Sequence, residues 1–301
     1  MNYIQKIFNH PMWHDWKQFR YLFVLHIAKH FPDRLFLKTI FPLKVGYKLN
    51  LNNPQTYNEK IQWLKLYDRN PKYTTMVDKA EAKKYVAGII GEEYIIPTIA
   101  VYDSVEEIDF DKLPSQFVLK VTHDSGGIVI CKDKSKLDIP STLALLNKSL
   151  KTNYYWKNRE WPYKNVKPRI IAEQYMEDES GWQLKDYKIF CFNGEPKFIE
   201  VDYDRYIGHK LNVYDLNWNF IDFYMTSPND KNVRIEKPAK LDEMLDIAKK
   251  LSVGLKFVRV DLYSINENIY FGELTHYPGS GFIDFHPKEY DNKLGGMLSL
   301  K

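Results

Sequence analysis

The residues with the clearest capacity for chemistry lie in the last predicted hairpin, where acids and a base share one strand face. If its turn is centred on Glu267, then Asp261 lies opposite Glu273, and Arg259 lies opposite Thr275. Two facing carboxylates about 5 Å apart repel each other unless a cation lies between them. Mg²⁺ binds one or two carboxylates together with phosphate oxygens. The hairpin therefore predicts a magnesium site, and the alternative is a pair of exposed acids on a solvated strand.

A glycine-rich loop follows a lysine earlier in the chain. Lys120 ends a predicted strand, and Ser125, Gly126 and Gly127 precede the next one. Glycine lets backbone N–H groups approach phosphate oxygens closely, and a lysine alongside neutralises phosphate charge. The loop is a candidate phosphate site, and the alternative is a plain hairpin turn.

Two polar segments lie between this loop and the last hairpin. Residues 173–176, Glu-Gln-Tyr-Met, end an apolar strand, and Asp186 and Lys188 then alternate on one face of the following strand. An acid can hold ribose hydroxyls while a lysine two residues further on meets a phosphate. Taken alone, this is equally a strand with a polar face. The order of all these motifs is more informative than any one of them.

Turn and cap signals indicate the elements that carry the motifs. Asn193-Gly194 between two alternating segments is typical of a type I′ hairpin. Thr56 with Glu59 fits a capping box that begins a helix. Helices are also predicted from Asp78 to Val86, over 140–151 and over the amphipathic segment 241–253. The motifs therefore lie on hairpins, with helices between them.

The order of motifs is a lysine, a glycine-rich loop, Glu-x-x-Met, Asp-x-Lys, Arg-x-Asp and a final Glu, and it resembles the ATP-grasp superfamily. The resemblance implies an α/β (α+β) fold in which two α+β subdomains grip ATP, with Mg²⁺ as the accompanying cofactor. In this reading Lys120 and Lys188 hold phosphates, and Asp186 holds the ribose. Residues 173–176 form the adenine hinge. The residues assigned to the nucleotide are Lys120, Ser125, Gly126, Gly127, Glu173, Gln174, Tyr175, Met176, Asp186 and Lys188.

The same resemblance assigns the chemistry to the last hairpin. Asp261 and Glu273 ligate magnesium, and Arg259, with Lys188, stabilises the transferring phosphoryl group. Many ATP-grasp ligases have Glu-x-Asn at the final metal position, whereas this chain has Thr275 there. A hydroxyl is a poorer magnesium ligand than an amide oxygen, which leaves the number of magnesium ions open.

A narrower similarity is to the TupA-like branch of ATP-grasp proteins, over about residues 40–290. The segments that carry it are LNLNNPQTYNEKIQWLKLYDRNP, DKAEAKKYV, FVLKVTHDSGG, DYKIFCFNGEP, FVRVDLY and FGELTHYPGSGF. That branch is associated with teichuronopeptide and other bacterial surface-polysaccharide pathways. The similarity implies an ATP-dependent ligase that joins a sugar carboxylate to an amine through an acyl-phosphate. Whether the sugar is nucleotide-linked or lipid-linked stays open.

Six further residues are candidates for contacts with the substrates. Two lysines precede the glycine loop, and two histidines adjoin the motifs. Histidine titrates near neutrality and can accept the proton of an amine, although a structural hydrogen bond is the alternative. A Pro-Gly-Ser-Gly loop after the last hairpin could bind an acceptor through its backbone, or be a simple turn. The six are Lys79, Lys83, His123, His276, Gly279 and Ser280.

Composition limits the remaining classes. The net charge of +4 suits an anionic ligand and is too small to predict nucleic-acid binding. Cys131 and Cys191 lie in apolar runs and predict buried free thiols in a reducing compartment. No secretory signal or membrane-spanning stretch is predicted, so we expect a cytoplasmic protein. The oligomeric state stays open.

The first forty residues are basic and aromatic, and two interpretations of them compete. They form either a packed helical extension or a segment that rests on the anionic inner face of a membrane. We divide the chain into a helical extension (1–70), an N-terminal α/β part (71–105), a small subdomain with the glycine loop (106–175) and a large subdomain with the metal hairpin (176–301).

Three rival functions remain. A sugar-nucleotide glycosyltransferase would need a metal motif such as Asp202-Tyr203-Asp204. A kinase would phosphorylate a hydroxyl and release no free phosphate. A non-catalytic nucleotide-binding module would not need Arg259 and the two hairpin acids.

Overall fold

Two antiparallel sheets follow one another along the chain in a computed structural model that describes residues 23–181, 184–204 and 208–301. The first sheet has four strands in the order β1-β4-β2-β3. Its strands are β1 (Thr98–Tyr102), β2 (Phe117–Val121), β3 (Ile128–Cys131) and β4 (Ile170–Gln174). The second has six strands in the order β10-β9-β5-β6-β7-β8. Its strands are β5 (Asp186–Phe192), β6 (Glu195–Tyr203), β7 (Lys210–Tyr214), β8 (Phe220–Ile221), β9 (Phe257–Ile265) and β10 (Asn268–Thr275).

Helices precede, separate and follow the sheets. They are α1 (Asp33–Val45), α2 (Tyr57–Tyr67), α3 (Lys72–Val77), α4 (Glu81–Ile90), α5 (Ile139–Leu150), α6 (Tyr155–Asn158), α7 (Leu241–Ser252) and α8 (Glu289–Met297). Residues 23–28 are also helical. The predicted helical extension is thus present over residues 23–28, α1 and α2, with a non-helical segment over 46–56, and residues 1–22 lie outside the described part.

Two local predictions are confirmed where the chain turns. At the start of α2, the Thr56 hydroxyl accepts from the Glu59 amide while the Glu59 carboxylate accepts from the Thr56 amide. Asn193 and Gly194 have positive φ values, as a type I′ turn requires, and join β5 to β6. The helix predicted from Asp78 begins later, at Glu81, because the Asp78 carboxylate accepts from the amides of Ala80 and Glu81 and so caps the start of the helix.

One face of the six-stranded sheet is divided between core and cleft. On β5, Phe190 and Phe192 pack in an aromatic core against α2 and α8, while Asp186 and Lys188 on the same face line a cleft. The opposite face is mainly apolar and packs against α4 and α7. The helices therefore cover half of one face and leave the charged half open toward the first sheet.

Sheet membership crosses one of the predicted borders. β1 pairs with β4, so residues on both sides of position 105 build the four-stranded sheet. The six-stranded sheet begins at Asp186, close to the border at 175. Both cysteines are buried free thiols, as expected. None of the helices in the described ranges has the length and apolar character needed to cross a membrane.

Candidate active site

The last hairpin places its two acids side by side, although the turn differs from the expected one. Ile265 pairs with Asn268, so the turn has two residues and is not centred on Glu267. An irregularity between Phe271 and Glu273 then shifts the register by one residue and restores the pairing of Asp261 with Glu273. The bulge thus brings both carboxylates to the cleft.

Arg259 lies between these carboxylates. Its guanidinium donates to Asp261 through Nε at 2.6 Å and through Nη2 at 2.5 Å. Nη2 also donates to Glu273 Oε1 at 3.0 Å and to the Thr275 hydroxyl at 3.1 Å. The cation that the facing acids require is therefore supplied by the protein itself in this structure. Thr275, the departure from the usual sequence, orients Arg259 and Glu273 here.

The two acids have different environments. The Asp261 side chain is buried, and burial raises the pKa of its carboxyl above the ordinary value, against the effect of Arg259. Glu273 is about half exposed, at 49%. Desolvation in the cleft raises the pKa of Glu273, but Arg259 and Lys79 outweigh it and hold the pKa at about 2. Glu273 is therefore an anion at every physiological pH.

These residues fit a magnesium ion that is shared with phosphate. Within the described ranges, no group of three or more His, Cys, Asp or Glu side chains is arranged to hold a metal ion. Mg²⁺ does not need such a group, because it keeps waters and takes phosphate oxygens beside one or two carboxylates. Asp261 and Glu273 supply that number. The cation already held between them indicates a site suited to positive charge.

Lys188 on β5 lies in a row of charged side chains across the sheet. Its backbone pairs with Asp261 on one side and with Glu200 on the other. The ammonium lies 3.3 Å from Glu200 Oε1 and also contacts Asp202 Oδ2. Burial lowers the pKa of Lys188, but Glu200 and Asp202 hold it above the ordinary value. Lys188 therefore presents a fixed positive charge to the cleft.

Asp202 also binds a histidine that sequence reasoning missed. His209 Nε2 lies 3.2 Å from Asp202 Oδ2, the same oxygen that contacts Lys188. The other ring nitrogen, Nδ1, lies 3.0 Å from the Ser227 hydroxyl. Asp202 is thus engaged by two cation-forming groups, which differs from the metal role that an Asp-x-Asp motif would give it.

Lys120 is held by Glu173 from the neighbouring strand. Glu173 Oε2 lies 2.6 Å from Lys120 Nζ, and Oε1 lies 2.5 Å from Lys83 Nζ. Lys83 also donates to the Ile96 carbonyl and the Thr98 hydroxyl, so it is buried beneath the sheet. Of the two lysines before the glycine loop, Lys83 is therefore a support for Glu173. The Glu173 side chain binds lysines, whereas we predicted it as part of the adenine hinge.

The glycine loop lies at the rim of the cleft. Ser125 and Gly126 are exposed, and Gly127 is buried. Lys79 Nζ donates to the Asp124 carbonyl at the base of the loop, and its side chain lines the cleft with Lys120. Lys79 therefore belongs to the site more directly than its place before the loop suggested.

The two glycines have different requirements, which gives a first prediction. A Cβ on Gly127 would lie 2.7 Å from Ser149 Cβ and 2.7 Å from Val121 Cγ2, whereas one on Gly126 would meet only Asp124 Oδ2 at 3.9 Å. Gly127→Ala should lower the free energy of unfolding by about 1–3 kcal/mol through overpacking. Gly126→Ala should leave it unchanged within about 0.5 kcal/mol. Urea denaturation of both variants checks this, and equal losses would contradict it.

The remaining predicted nucleotide residues lie in the connection between the sheets. Gln174 ends β4, and its amide donates to the Pro97 carbonyl. Tyr175 donates to Glu177, and Met176 is half-buried. The segment joins β4, which carries Glu173, to β5, which carries Asp186 and Lys188. A hinge between the two halves of a site would have this position.

The two histidines among the substrate candidates lie in packed positions, and none of the described histidines lines the cleft. His123 is buried, with Nε2 3.0 Å from the Thr152 carbonyl. His276 stacks on Tyr73, and burial lowers its pKa to about 4. The packing of these two histidines disfavours a role as bases.

Gly279 and Ser280 lie in a tight turn, Pro278–Gly281, in which both have positive φ. The Ser280 carbonyl accepts from Lys65 at 2.6 Å, and its hydroxyl contacts Glu160. The loop is thus occupied with internal bonds, and only its outer edge is free to meet an acceptor.

The convergent residues form one cleft of about 260 Å³ between the sheets. Ile128, Tyr263 and Gly272 line it in addition to the predicted residues. Ile128 and Ile130 are both exposed on the same side of β3, and Ile128 gives the cleft an apolar surface. In the sequence, the alternation of side chains along the strand Ile128–Cys131 was the signal that could have identified these two isoleucines. The lining residues that we had predicted are Lys79, Lys120, Glu173, Asp186, Lys188, Arg259, Asp261 and Glu273.

Solved structures to which the chain is similar include several ligases. D-alanine–D-alanine ligase from Bacillus anthracis, complexed with ATP, is 19% identical over 67% of this chain and 54% of its own, with a TM-score of 0.39. The Helicobacter pylori ligase of the same name is 16% identical over 80% and 69%, with a TM-score of 0.41. The ATP-grasp ligase PsnB, complexed with minimal precursor, Mg and ADP, is 12% identical over 72% and 57%, with a TM-score of 0.36. This chain spans just over half the length of the Bacillus enzyme.

A comparison with curated proteins gave no match. The family model for TupA-like ATPgrasp proteins matches residues 59–299, which includes every strand and every residue of the cleft. The antiparallel sheets and the family match confirm the predicted ATP-grasp fold. The chain belongs to the TupA-like ATP-grasp family.

Proposed function

We propose that this protein is an ATP-dependent carboxylate–amine ligase that forms an amide through an acyl-phosphate. The observation that carries the proposal is the convergence of four cations with two facing carboxylates in one cleft. The cations are Lys79, Lys120, Lys188 and Arg259, and the carboxylates are Asp261 and Glu273. Such a set matches a triphosphate with magnesium in charge and in chemistry.

The two sheets divide the nucleotide between them. Ile128 supplies an apolar surface for the adenine, and Asp186 lines the same cleft and binds the ribose hydroxyls. Lys79 and Lys120 face the phosphates from the first sheet, and Lys188 and Arg259 face them from the second. Gly126 is exposed, and its amide can close over the phosphates, whereas the Ser125 amide donates to the Asp124 carboxylate at 2.6 Å.

Phosphoryl transfer activates the carboxylate. A carboxylate oxygen of the substrate forms a bond to the γ-phosphorus as the bond to the β-bridging oxygen breaks, giving ADP and an acyl-phosphate. Lys188 and Arg259 stabilise the charge that spreads over the transferred oxygens. Magnesium at Asp261 and Glu273, when bound, neutralises the phosphates and fixes their geometry.

The amine then attacks the acyl carbon, the carbon–oxygen bond breaks, and phosphate leaves. The nitrogen must lose a proton in this step. The departing phosphate or solvent takes that proton, because none of the described histidines lines the cleft.

The carboxylate substrate that we propose is a uronic acid of a bacterial surface polysaccharide, and the amine is an amino acid or a small amine. A sugar needs aromatic surface and polar groups beside the glycine loop. Tyr154 lies against Tyr163, with 5.0 Å between ring centroids, and interacts with the side chains of Ser125 and Ser280. Lys157 lies over the Tyr154 ring and can pair with a sugar carboxylate.

Isothermal titration with AMPPNP, UDP-glucuronate and UDP-glucose, with and without Mg²⁺, tests the proposal. We expect Mg²⁺-dependent binding of AMPPNP and a Kd about 10–100-fold higher for Lys120→Ala, because a charge-assisted contact contributes about 1.5–3 kcal/mol. Lys148→Ala, an exposed lysine on α5, is the matched control. Binding of a UDP-sugar without AMPPNP would replace the ligase with a glycosyltransferase. An unchanged Kd in Lys120→Ala would remove Lys120 from the phosphate site.

A further inference from the structure

Large apolar side chains are exposed near the N-terminal helices. Phe23 is 59% exposed, and Ile27, Leu35 and Trp156 are 46%, 48% and 53% exposed. Leu35 lies on the outer side of α1, whose inner side buries Phe36 and Leu37. Exposed apolar side chains are ordinary when scattered. A cluster of them on one surface indicates a binding face.

Arg159 brings together the segments that carry Ile27, Leu35 and Trp156. Its Nη2 donates to the carbonyls of Lys29 and Phe31, in the connection between residues 23–28 and α1. Its guanidinium carbon lies 4.4 Å from the Phe36 ring and 4.7 Å from the Trp156 ring. Ile27 lies two residues before Lys29, and Leu35 directly precedes Phe36 in the chain. The buried arginine thus links the three segments that carry the exposed side chains.

The same part of the chain carries the positive charge of the protein. Residues 1–50 contain eight Lys and Arg and two Asp, a net charge of +6, whereas the whole chain is +4, so residues 51–301 are at −2. Asp33, the acid of this region within the described residues, forms ion pairs with Arg69 at 2.9 Å and with the buried Arg159 at 3.5 Å. The exposed cations beside the apolar side chains are Lys29, Arg34 and Lys38.

We propose that this surface, Ile27, Leu35 and Trp156 with Lys29, Arg34 and Lys38, binds an anionic lipid bilayer. Tryptophan and aliphatic side chains enter the headgroup region while neighbouring cations attract anionic lipids. The charge imbalance selects lipid over a neutral apolar partner, because a negative surface matches the +6 segment and the rest of the protein is slightly repelled. The bilayer therefore orients the molecule with its N-terminal face down.

This orientation has a consequence for the cleft. Trp156 belongs to α6, and Asn158 at the end of α6 donates to the Ser280 hydroxyl, while the preceding Tyr154 interacts with Ser125 of the glycine loop. A rigid four-residue helix thus joins the lipid-binding surface to the rim of the cleft. An acceptor anchored in the bilayer would reach the cleft from this side, and this step alone rests on the proposed ligase function.

Vesicle sedimentation of the full chain, without nucleotide, tests the surface. We expect binding to vesicles of 30% phosphatidylglycerol in phosphatidylcholine and little binding to phosphatidylcholine alone, with loss of binding in 0.5 M NaCl. Arg34→Gln with Lys38→Gln should lower the partition coefficient about 25-fold, at roughly fivefold per cation. Ile27→Glu with Leu35→Glu should remove binding. Val253→Glu, at an apolar side chain that is exposed elsewhere, should leave it unchanged.

The outcomes separate the possible occupants. Equal binding by the wild type and both double variants would overturn the proposal and assign the lipid contact to another part of the chain. A dimer in sedimentation equilibrium that Leu35→Glu dissociates, with no vesicle binding, would assign the surface to a second copy of the chain. Retained AMPPNP binding by the double variants shows that they fold, so failure here is distinct from failure of the ligase proposal.

Discussion

Glu273→Gln should abolish the magnesium dependence of nucleotide binding without unfolding the last hairpin. Glu273 is half exposed and is held as an anion by Arg259 and Lys79, so the amide removes a charge and no buried packing. With one carboxylate left at Asp261, the site keeps too little negative charge to hold Mg²⁺ against Arg259. Isothermal titration of AMPPNP should show that Mg²⁺ strengthens binding at least about tenfold in the wild type and has no effect in the variant.

The matched control is Glu267→Gln, the same change in the turn of the same hairpin. Glu267 is exposed and lies outside the cleft, so magnesium should act on this variant as on the wild type. Thermal melting of all three proteins checks the fold. A magnesium effect that survives Glu273→Gln would place the ion elsewhere and leave Arg259 as the counter-ion of the two acids. Asp261→Asn is a less clean test, because it leaves the buried Arg259 without its main partner.

The pairing of Asp261 with Glu273 was predictable from the sequence, but for a reason that the structure corrects. Alternation fixes which side chains share a face, and a one-residue error in the turn would move Glu273 to the other face. The turn does differ from the predicted one. Gly272 compensates at the bulge, where a Cβ would lie 3.0 Å from the Asp261 carbonyl. A lone glycine within a strand was the available signal for this bulge.

The contacts among charged side chains were not predictable in the same way. Periodicity brings Lys120, Lys188 and Arg259 to the cleft, but it does not say which acid each one binds. Glu173 pairs with two lysines because β4 lies between β1 and β2, an order that the sequence does not reveal. His209 meets Asp202 from beyond the end of β6. Residue types and local pattern therefore predict the members of the site, and sheet order determines their partners.

The division of one sheet face explains how a small cleft can hold so many charges. On β5, β6 and β9, the same face carries aromatic residues at one end and ionisable residues at the other. The aromatic end is fixed beneath α2 and α8, and it anchors the strands that carry the charged residues. Lys188 lies between Asp261 and Glu200, so negative and positive side chains alternate along this row. The arrangement is preorganised for phosphate before any nucleotide binds.

Glu173 offers the largest expected effect on stability. Its carboxylate is buried between Lys83 at 2.5 Å and Lys120 at 2.6 Å. Burial raises the pKa of Glu173, but Lys120 and Lys83 outweigh burial and hold it below the ordinary value. Glu173→Gln would leave the buried Lys83 without its counter-charge, and breaking a buried pair in this way costs about 3–5 kcal/mol. Urea denaturation at pH 7 should show a loss of that size in the free energy of unfolding.

The double variant Lys83→Met with Glu173→Gln measures the interaction between these two side chains separately from their contacts with other residues. Because methionine removes the buried charge that Glu173→Gln strands, the double variant should be more stable than Glu173→Gln alone, with an interaction energy of about 1–3 kcal/mol. Because the pKa of Glu173 is lower in the folded state than in the unfolded state, its ionised carboxylate stabilises the folded protein above about pH 4.3. This stabilisation is lost as the pH falls through the folded-state pKa. The stability difference between wild type and Glu173→Gln should therefore shrink on acidification below that pH. Additive losses, or a difference that persists in acid, would show that Glu173 acts through packing and not through its charge.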